Sequence, residues 1–356
     1  MLPPHACDCH SVEPSPLGPI LHLAVRPAAI HVSRQFVLLL HAHDVTFEAQ
    51  GQVMTFGVQH LEQLQTVLKA MTEMDRQGLP AVPVTAEGPQ VYDLQPLQVW
   101  VDRLSTNWFP EASRHLVFHA QPIVRVCTGE VYGYEALVRA RVDGRHWDAG
   151  ELLAAAAAHR QSRGFDALAR TTAIRQLYPR LAPDQRLFIN FAPGVVYNPD
   201  ICLQTTFEAC REVGADFSRL VFEITEGEAF PDLPLLRSIL ERYRQEGAQV
   251  ALDDVGSGQT SLAYLDELRP DIVKLDRSLV QDLTRSGPRM RLLSALTNYA
   301  HDLGSLVVAE GIEQAEELAA VQAADVDLAQ GFFLGRPAES LQGIPEQAAS
   351  WWSTLR

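Results

Sequence analysis

Apolar and polar positions alternate in two styles along the chain. Over residues 20–110 the pattern is mixed. Ile20–Val25 reads as a strand, Pro27–His41 fits a helix or a strand, and Val45–Phe56, with Gly51 near its centre, reads as a hairpin. Val58, Leu61, Leu64, Val67, Leu68, Met71 and Met74 recur at three- and four-residue steps. That spacing predicts one amphipathic helix ended by Gly78, with Met71 and Met74 on its core face. A second helix is expected over Leu94–Leu104. Residues 1–19 hold five prolines and little periodicity, which predicts a flexible arm. The segment as a whole predicts a small α+β domain over 20–110, of unknown role, joined through Asn107–Ser113 to a second domain over 111–356.

From Arg114 onward the pattern is regular. Short apolar runs at Leu116–Val124, Val131–Val138, Leu187–Phe191, Leu220–Ile224, Val250–Leu252, Ile272–Leu275, Leu306–Ala309 and Leu328–Phe333 are separated by longer stretches. Most of those stretches are amphipathic or Ala-rich, as in Gly150–Arg163, Phe165–Leu181, Leu233–Glu246, Arg289–Leu303 and Gln314–Ala323. Alternating β and α elements predict a largely parallel sheet. Eight candidate strands in a segment close to the roughly 250 residues of a (β/α)8 barrel predict closure.

Composition narrows the partners. With 29 Lys plus Arg against 44 Asp plus Glu, the net charge is −15. A protein that wraps duplex DNA or RNA needs a basic face, so the balance argues against that class, though not against a small phosphate ligand held through metal ions. The longest unbroken apolar run, Leu152–Ala158, is far short of the roughly 18 residues of a membrane span. The start MLPPHACDCH has neither the basic nor the apolar region of a secretory signal, and the five cysteines are an odd number in a long chain. Both observations predict a cytoplasmic location. His5, Cys7, Cys9 and His10 form a dense cluster whose spacing is not a standard zinc pattern. Cys127, Cys202 and Cys210 are expected as small core residues, and Trp351 and Trp352 as a cover over the barrel base or a partner contact.

Most of the apolar runs carry a polar group inside or just after them: Glu135, Asn190, Glu223, Asp253 with Asp254, Lys274, Glu310 and Gln330. In a closed barrel the strand ends converge on one face, where active sites are built. Five carboxylates would then meet with one ammonium to offset them. Crowded carboxylates must be protonated or neutralised, and an all-oxygen donor set without Cys or His suits Mg2+ or Mn2+ rather than Zn2+. The adjacent Asp253 and Asp254 are a natural centre for two ions, which together clamp the attacking and leaving oxygens of a phosphoryl displacement.

The run AQPIV followed by YGYEALVR resembles the signature of the EAL domain of cyclic-di-GMP phosphodiesterases. The resemblance continues in order through FINF, FEITE, LDDVGSG, DIVKLD, VVAEGIE and QGFFLGRP. It implies a TIM-type barrel with one antiparallel strand, usually dimeric, that hydrolyses cyclic di-GMP to linear pGpG with two Mg2+ or Mn2+ ions. It also implies Glu135, Asn190, Glu223 and Asp253 as ligands of one ion, and Asp253, Asp254 and Glu310 as ligands of the other. Lys274, Glu310 and Glu135 are the candidate catalytic residues, with Lys274 holding the attacking water and Glu310 an alternative proton acceptor. Gln121 and Arg139 would contact the dinucleotide, Gln330 would orient water or substrate, and Glu226 and Glu313 would be supporting residues. The chain departs from the usual pattern at Val255 and Gln259, where Phe and Tyr are common, and at Ala192, where Ser is common. Two other readings remain open: a catalytically silent cyclic-di-GMP receptor signalling through the N-terminal domain, and a metal hydrolase for another phosphodiester.

Overall fold

The structure, a computed structural model, describes residues 19–90, 94–196, 198–225, 233–256, 262–281, 283 and 287–353. The His5–His10 cluster, Glu226 and Gln259 lie outside the described residues. The chain divides into two compact units. One holds residues 19–115 with Gly150–Ser162, and the other holds Leu116–Ala149 with the chain from Arg163 on.

The first unit is an antiparallel sheet with helices. Its strands are β1 (His22–Val25), β2 (Glu48–Gln50), β3 (Val53–Gly57), β4 (Pro80–Thr85), β5 (Gly88–Pro89) and β6 (Gln95–Pro96). They run in the order β2-β3-β1-β4-β5, with β6 also on β4. The expected hairpin is β2–β3, turning at Gly51 with φ +63. The ambiguous Pro27–His41 stretch forms a helix over Ile30–Ala42, whose Val32, Phe36 and Leu40 recur at four-residue steps and are buried. The single helix expected up to Gly78 is broken in two, Leu61–Lys69 and Glu73–Gln77. Thr72 causes the break, because its Oγ1 accepts from Asp75 N at 3.2 Å and starts a new helix. Met71 is buried, but Met74 falls on the solvent side at 84% exposure. The second helix covers Leu97–Ser105 and sends Leu97, Trp100 and Val101 into a core shared with Phe36, Phe56, Leu64 and Leu68.

The second unit is the barrel. Its strands are β7 (Leu116–Arg125), β8 (Val131–Val142), β9 (Arg145–Trp147), β10 (Arg186–Phe191), β11 (Leu220–Thr225), β12 (Gln249–Val255), β13 (Ile272–Leu275), β14 (Leu306–Ala309) and β15 (Leu328–Gln330). Their order is β10-β11-β12-β13-β14-β15-β7-β8-β9, and an additional β8–β10 pairing closes the ring, leaving β9 as a short flap on β8. Strand β7 is antiparallel to both neighbours, and the other pairs of the ring are parallel. Barrel helices include Ser162–Leu177, Leu233–Gln245, Pro288–Asp302 and Ala315–Ala323. The Ala-rich helix Ala149–Ala158, read from the sequence as a barrel helix, groups instead with the first unit. There His159 Nε2 donates to the Thr106 carbonyl at 2.9 Å and its ring lies 5.3 Å from Phe109. Cys202 and Cys210 are buried, whereas Cys127 is exposed in the turn between β7 and β8. Trp352 is buried and donates from Nε1 to the Val126 carbonyl at 2.8 Å, sealing that same end of the ring. Among the described residues no helix is long and apolar enough to cross a membrane.

Candidate active site

One apolar layer spans the barrel interior. Ile123, Tyr132, Phe188, Val221, Ala251, Ile272, Val308 and Leu328 form it, one from each strand of the ring. Side chains on a strand return to the same face every two residues. Two positions beyond that layer stand Gln121, Asn190, Glu223, Asp253, Lys274, Glu310 and Gln330. Glu135 comes three after Tyr132, and the β7–β8 ladder shifts register between Ile123 and Val124, which absorbs the odd residue. Alternation on a packed floor therefore lifts eight polar side chains to one level.

Lys274 is the hub of that level. Its Nζ lies 2.8 Å from Glu223, 3.0 Å from Asp253, 2.8 Å from Glu310 and 3.9 Å from Glu135. These are ion-pair distances, so one ammonium charge is shared among four carboxylates. Lys274 and Glu223 are fully enclosed, at 1% and 0% exposure. Burial works against the Lys274 charge, but the surrounding carboxylates outweigh it and hold its pKa well above the usual value. Burial pushes the Glu223 carboxyl well up, and the charges of Glu135 and Asp253 add to that against the pull of Lys274. The same causes raise Glu310 to about 8. Burial and the neighbouring Asp253 raise Asp254 as well.

The amides hold the other side of the ring. Asn190 Nδ2 donates to Glu135 Oε1 at 3.0 Å. Gln330 Nε2 donates to Glu135 Oε2 at 2.6 Å and to Gln121 Oε1 at 3.1 Å, and Gln121 Nε2 donates to the Gly335 carbonyl at 3.1 Å.

Adjacent residues of a regular strand face opposite ways, so Asp253 and Asp254 need a special backbone to act together. They have one. The β12–β13 ladder shifts register between Leu252 and Val255, and Asp254 adopts a left-handed φ of +58. An irregularity of this kind re-aims side chains beside functional sites. As a result Asp253, Asp254 and Glu310 each offer a carboxylate oxygen within 4.8 Å of the others.

This donor set fits hard divalent cations on a second count. Both carboxylate oxygens of Glu223 and the Gln330 Oε1 are buried and have no hydrogen-bond partner, Glu223 Oε1 meeting Lys274 only as an ion pair. Unpaired buried acceptors are costly, and a cation bound among them would remove that cost.

Above the ring lies a cleft of about 270 Å3 lined by Gln121, Glu135, Asp254, Glu310 and Gln330, and also by Asp276, Arg277, Glu313 and Phe332. Glu313 is exposed and pairs with Arg277 at 3.4 Å. Arg139 stands four residues beyond Glu135 on β8, half-buried, and donates to the Val138 carbonyl at 2.7 Å. It is not among the cleft-lining residues. Asp276, Arg277 and Phe332 were not singled out from the sequence. The available signals were Asp276 at the end of DIVKLD with Arg277 directly after it, Phe332 within QGFFLGRP and, for Phe332, an aromatic followed four residues later by Arg336. The Arg336 guanidinium stacks 4.2 Å over that ring, which is 47% exposed.

Comparisons with known proteins converge on the same segment. The EAL domain family model matches residues 104–337. The cyclic di-GMP phosphodiesterase NbdA of Pseudomonas aeruginosa is 32% identical over 230 residues, which cover 62% of this chain and 29% of that one. Several curated relatives are about three times as long as the segment they share with this chain, which spans about a third of their length. Among solved structures, a standalone EAL protein from Vibrio cholerae O395 in its c-di-GMP-bound form is 32% identical. It superposes with a TM-score of 0.57 and covers 66% of this chain and 97% of that one. A calcium and cyclic-diGMP complex of Klebsiella pneumoniae BlrP1 is 22% identical, with a TM-score of 0.59, over 91% of this chain and 98% of that one. That likeness is one of fold, and it reaches beyond the barrel. The barrel with its single antiparallel strand, the acidic level it carries and the family match over its length lead to one conclusion: this chain belongs to the EAL domain family.

Proposed function

We propose that the protein hydrolyses one phosphodiester of cyclic di-GMP to give linear pGpG, using two Mg2+ or Mn2+ ions. The observation that carries this reading is the level of Glu135, Glu223, Asp253 and Glu310 around Lys274 at the mouth of the barrel, with Asp254 turned towards Asp253 and Glu310 as a fifth carboxylate. Glu135, Asn190, Glu223 and Asp253 would hold one ion, and Asp253, Asp254 and Glu310 the other. When bound, such ions supply a nucleophile from water at neutral pH and charge stabilisation for the phosphoryl oxygens.

The chain's own groups do the rest. Lys274 Nζ is ion-paired with Glu223, Asp253 and Glu310. With those carboxylates taken up as cation ligands, Lys274 would hold the attacking water. Glu310, which touches Lys274 and faces the paired aspartates, accepts the proton of that water. Gln330 and Gln121 orient the phosphodiester through their amides. Arg139 takes a phosphate or a guanine edge with its planar fork as the substrate extends beyond the cleft. Arg277 and Phe332, which line the cleft, supply a cation and an apolar face.

The test is turnover of cyclic di-GMP by the purified protein with Mn2+, followed by chromatography for pGpG, with a chelated control. Accumulation of pGpG only with the cation supports the reading. Tight binding without product points to a receptor. Neither binding nor product points to another phosphodiester.

A further inference from the structure

Among the proposed cation ligands Asn190 alone is exposed: Glu135, Glu223 and Asp253 are buried, and Asp254 and Glu310 are half-buried. A buried side chain is placed by its neighbours, but an exposed one goes where its backbone points it. The backbone at this point is tied down by a device outside the ring. Strand β10 ends at Phe191, and the next amide, Ala192 N, donates at 3.0 Å to Asp166 Oδ1 on the helix Ser162–Leu177. The other oxygen of Asp166 pairs with Arg170, one helical turn on. Arg170 is 2% exposed, donates from Nε to Thr206 Oγ1 at 2.8 Å, and lies 4.9 Å over the ring of Phe191. Arg170 is fully buried and Asp166 largely so, and an ion pair this deep is seldom worth more than an apolar pair of the same volume, so stability alone gives little reason for it.

We propose that Asp166, fixed by Arg170, is a positioning residue. It clamps the end of β10 so that the Asn190 amide is presented to the divalent cation and to Glu135. This rests on the cation-dependent reading above. Residues flanking ligands in this manner typically change metal affinity about 10- to 100-fold when removed.

The test is Mn2+ titration by calorimetry on the full chain, with kcat and KM for cyclic di-GMP measured alongside. The variants are Asp166→Leu/Arg170→Met, which removes both charges together, Asn190→Ala, and the three substitutions combined. The expected result is about 10-fold weaker Mn2+ binding in the pair variant and a similar loss in Asn190→Ala. The combined variant should show no further loss, because both changes act through one ligand. Should the pair variant fail to fold, Asp166→Glu retains the partner of Arg170 while displacing the acceptor from Ala192 N, and weaker Mn2+ binding is again expected. Wild-type affinity in these variants, or losses that add to that of Asn190→Ala, would overturn the clamp while leaving the phosphodiesterase reading intact. A wild-type protein that takes up no Mn2+ would overturn that reading, and with it any cation-positioning role for Asp166.

Discussion

Lys274 and Glu310 have opposite reasons for their shifted protonation, and each can be tested alone. Lys274 balances several acids, including the fully enclosed Glu223. Lys274→Ala should therefore lower the melting temperature of the cation-free protein, keep Mn2+ uptake, and reduce kcat. An unchanged kcat would remove the water-holding role. Glu310 is raised from an ordinary 4.5 to about 8, chiefly by burial, so folding favours its protonated form. That contribution to stability is complete below pH 4.5 and is lost as pH rises through about 8. In calorimetric scans the cation-free protein should melt progressively lower over that window. Mn2+ should raise the melting temperature more at its alkaline end than at its acid end, and an equal gain at both ends would contradict the account. Glu135→Ala and Asp253→Asn should each cost more turnover than the roughly 10- to 100-fold of an outer partner. Near-normal rates in either would contradict the ligand assignment.

At the scale of elements, the barrel closes where β8 meets β10, and Gly133 lies on that seam. A Cβ there would come within 2.5 Å of the Arg186 carbonyl. Gly133→Ala should cost about 1–3 kcal/mol in denaturant unfolding through overpacking. Gly343→Ala, with open space around it, should stay within about 0.5 kcal/mol. Equal effects would show that the seam tolerates the methyl group. The barrel strands were legible because each is a short apolar run with one polar residue at a fixed distance from the floor layer. Strand β4 was not, because Pro80 and Pro83 read as breakers. Their carbonyls nevertheless pair, with Arg26 N at 3.0 Å and Gln90 N at 2.9 Å. The break at Thr72 was legible in principle, since Thr72 and Asp75 have capping spacing, but the apolar stripe ran across it. The joint action of Asp253 and Asp254 was legible in its residue types and not in its geometry. Alternation alone would send the two to opposite faces, and the register shift and positive φ that unite them belong to the backbone.

For the molecule as a whole, the proposed function requires that a chain of net charge −15 with an acidic site admit an anionic dinucleotide. Binding of a fluorescent cyclic di-GMP analogue should therefore weaken at least about 10-fold when divalent cations are chelated, in keeping with the neutralisation that the site requires. Cation-independent binding would place the ligand away from the ring. The dimer implied by the family resemblance predicts a sedimentation mass twice that of the chain, and a monomer at all concentrations would remove it. The most direct test of the central claim is an anomalous difference map from crystals grown with Mn2+. The account predicts two peaks sharing Asp253, one also bounded by Glu135, Asn190 and Glu223 and the other by Asp254 and Glu310. A map with no peak at the ring, and Lys274 still engaged by the same carboxylates, would contradict it.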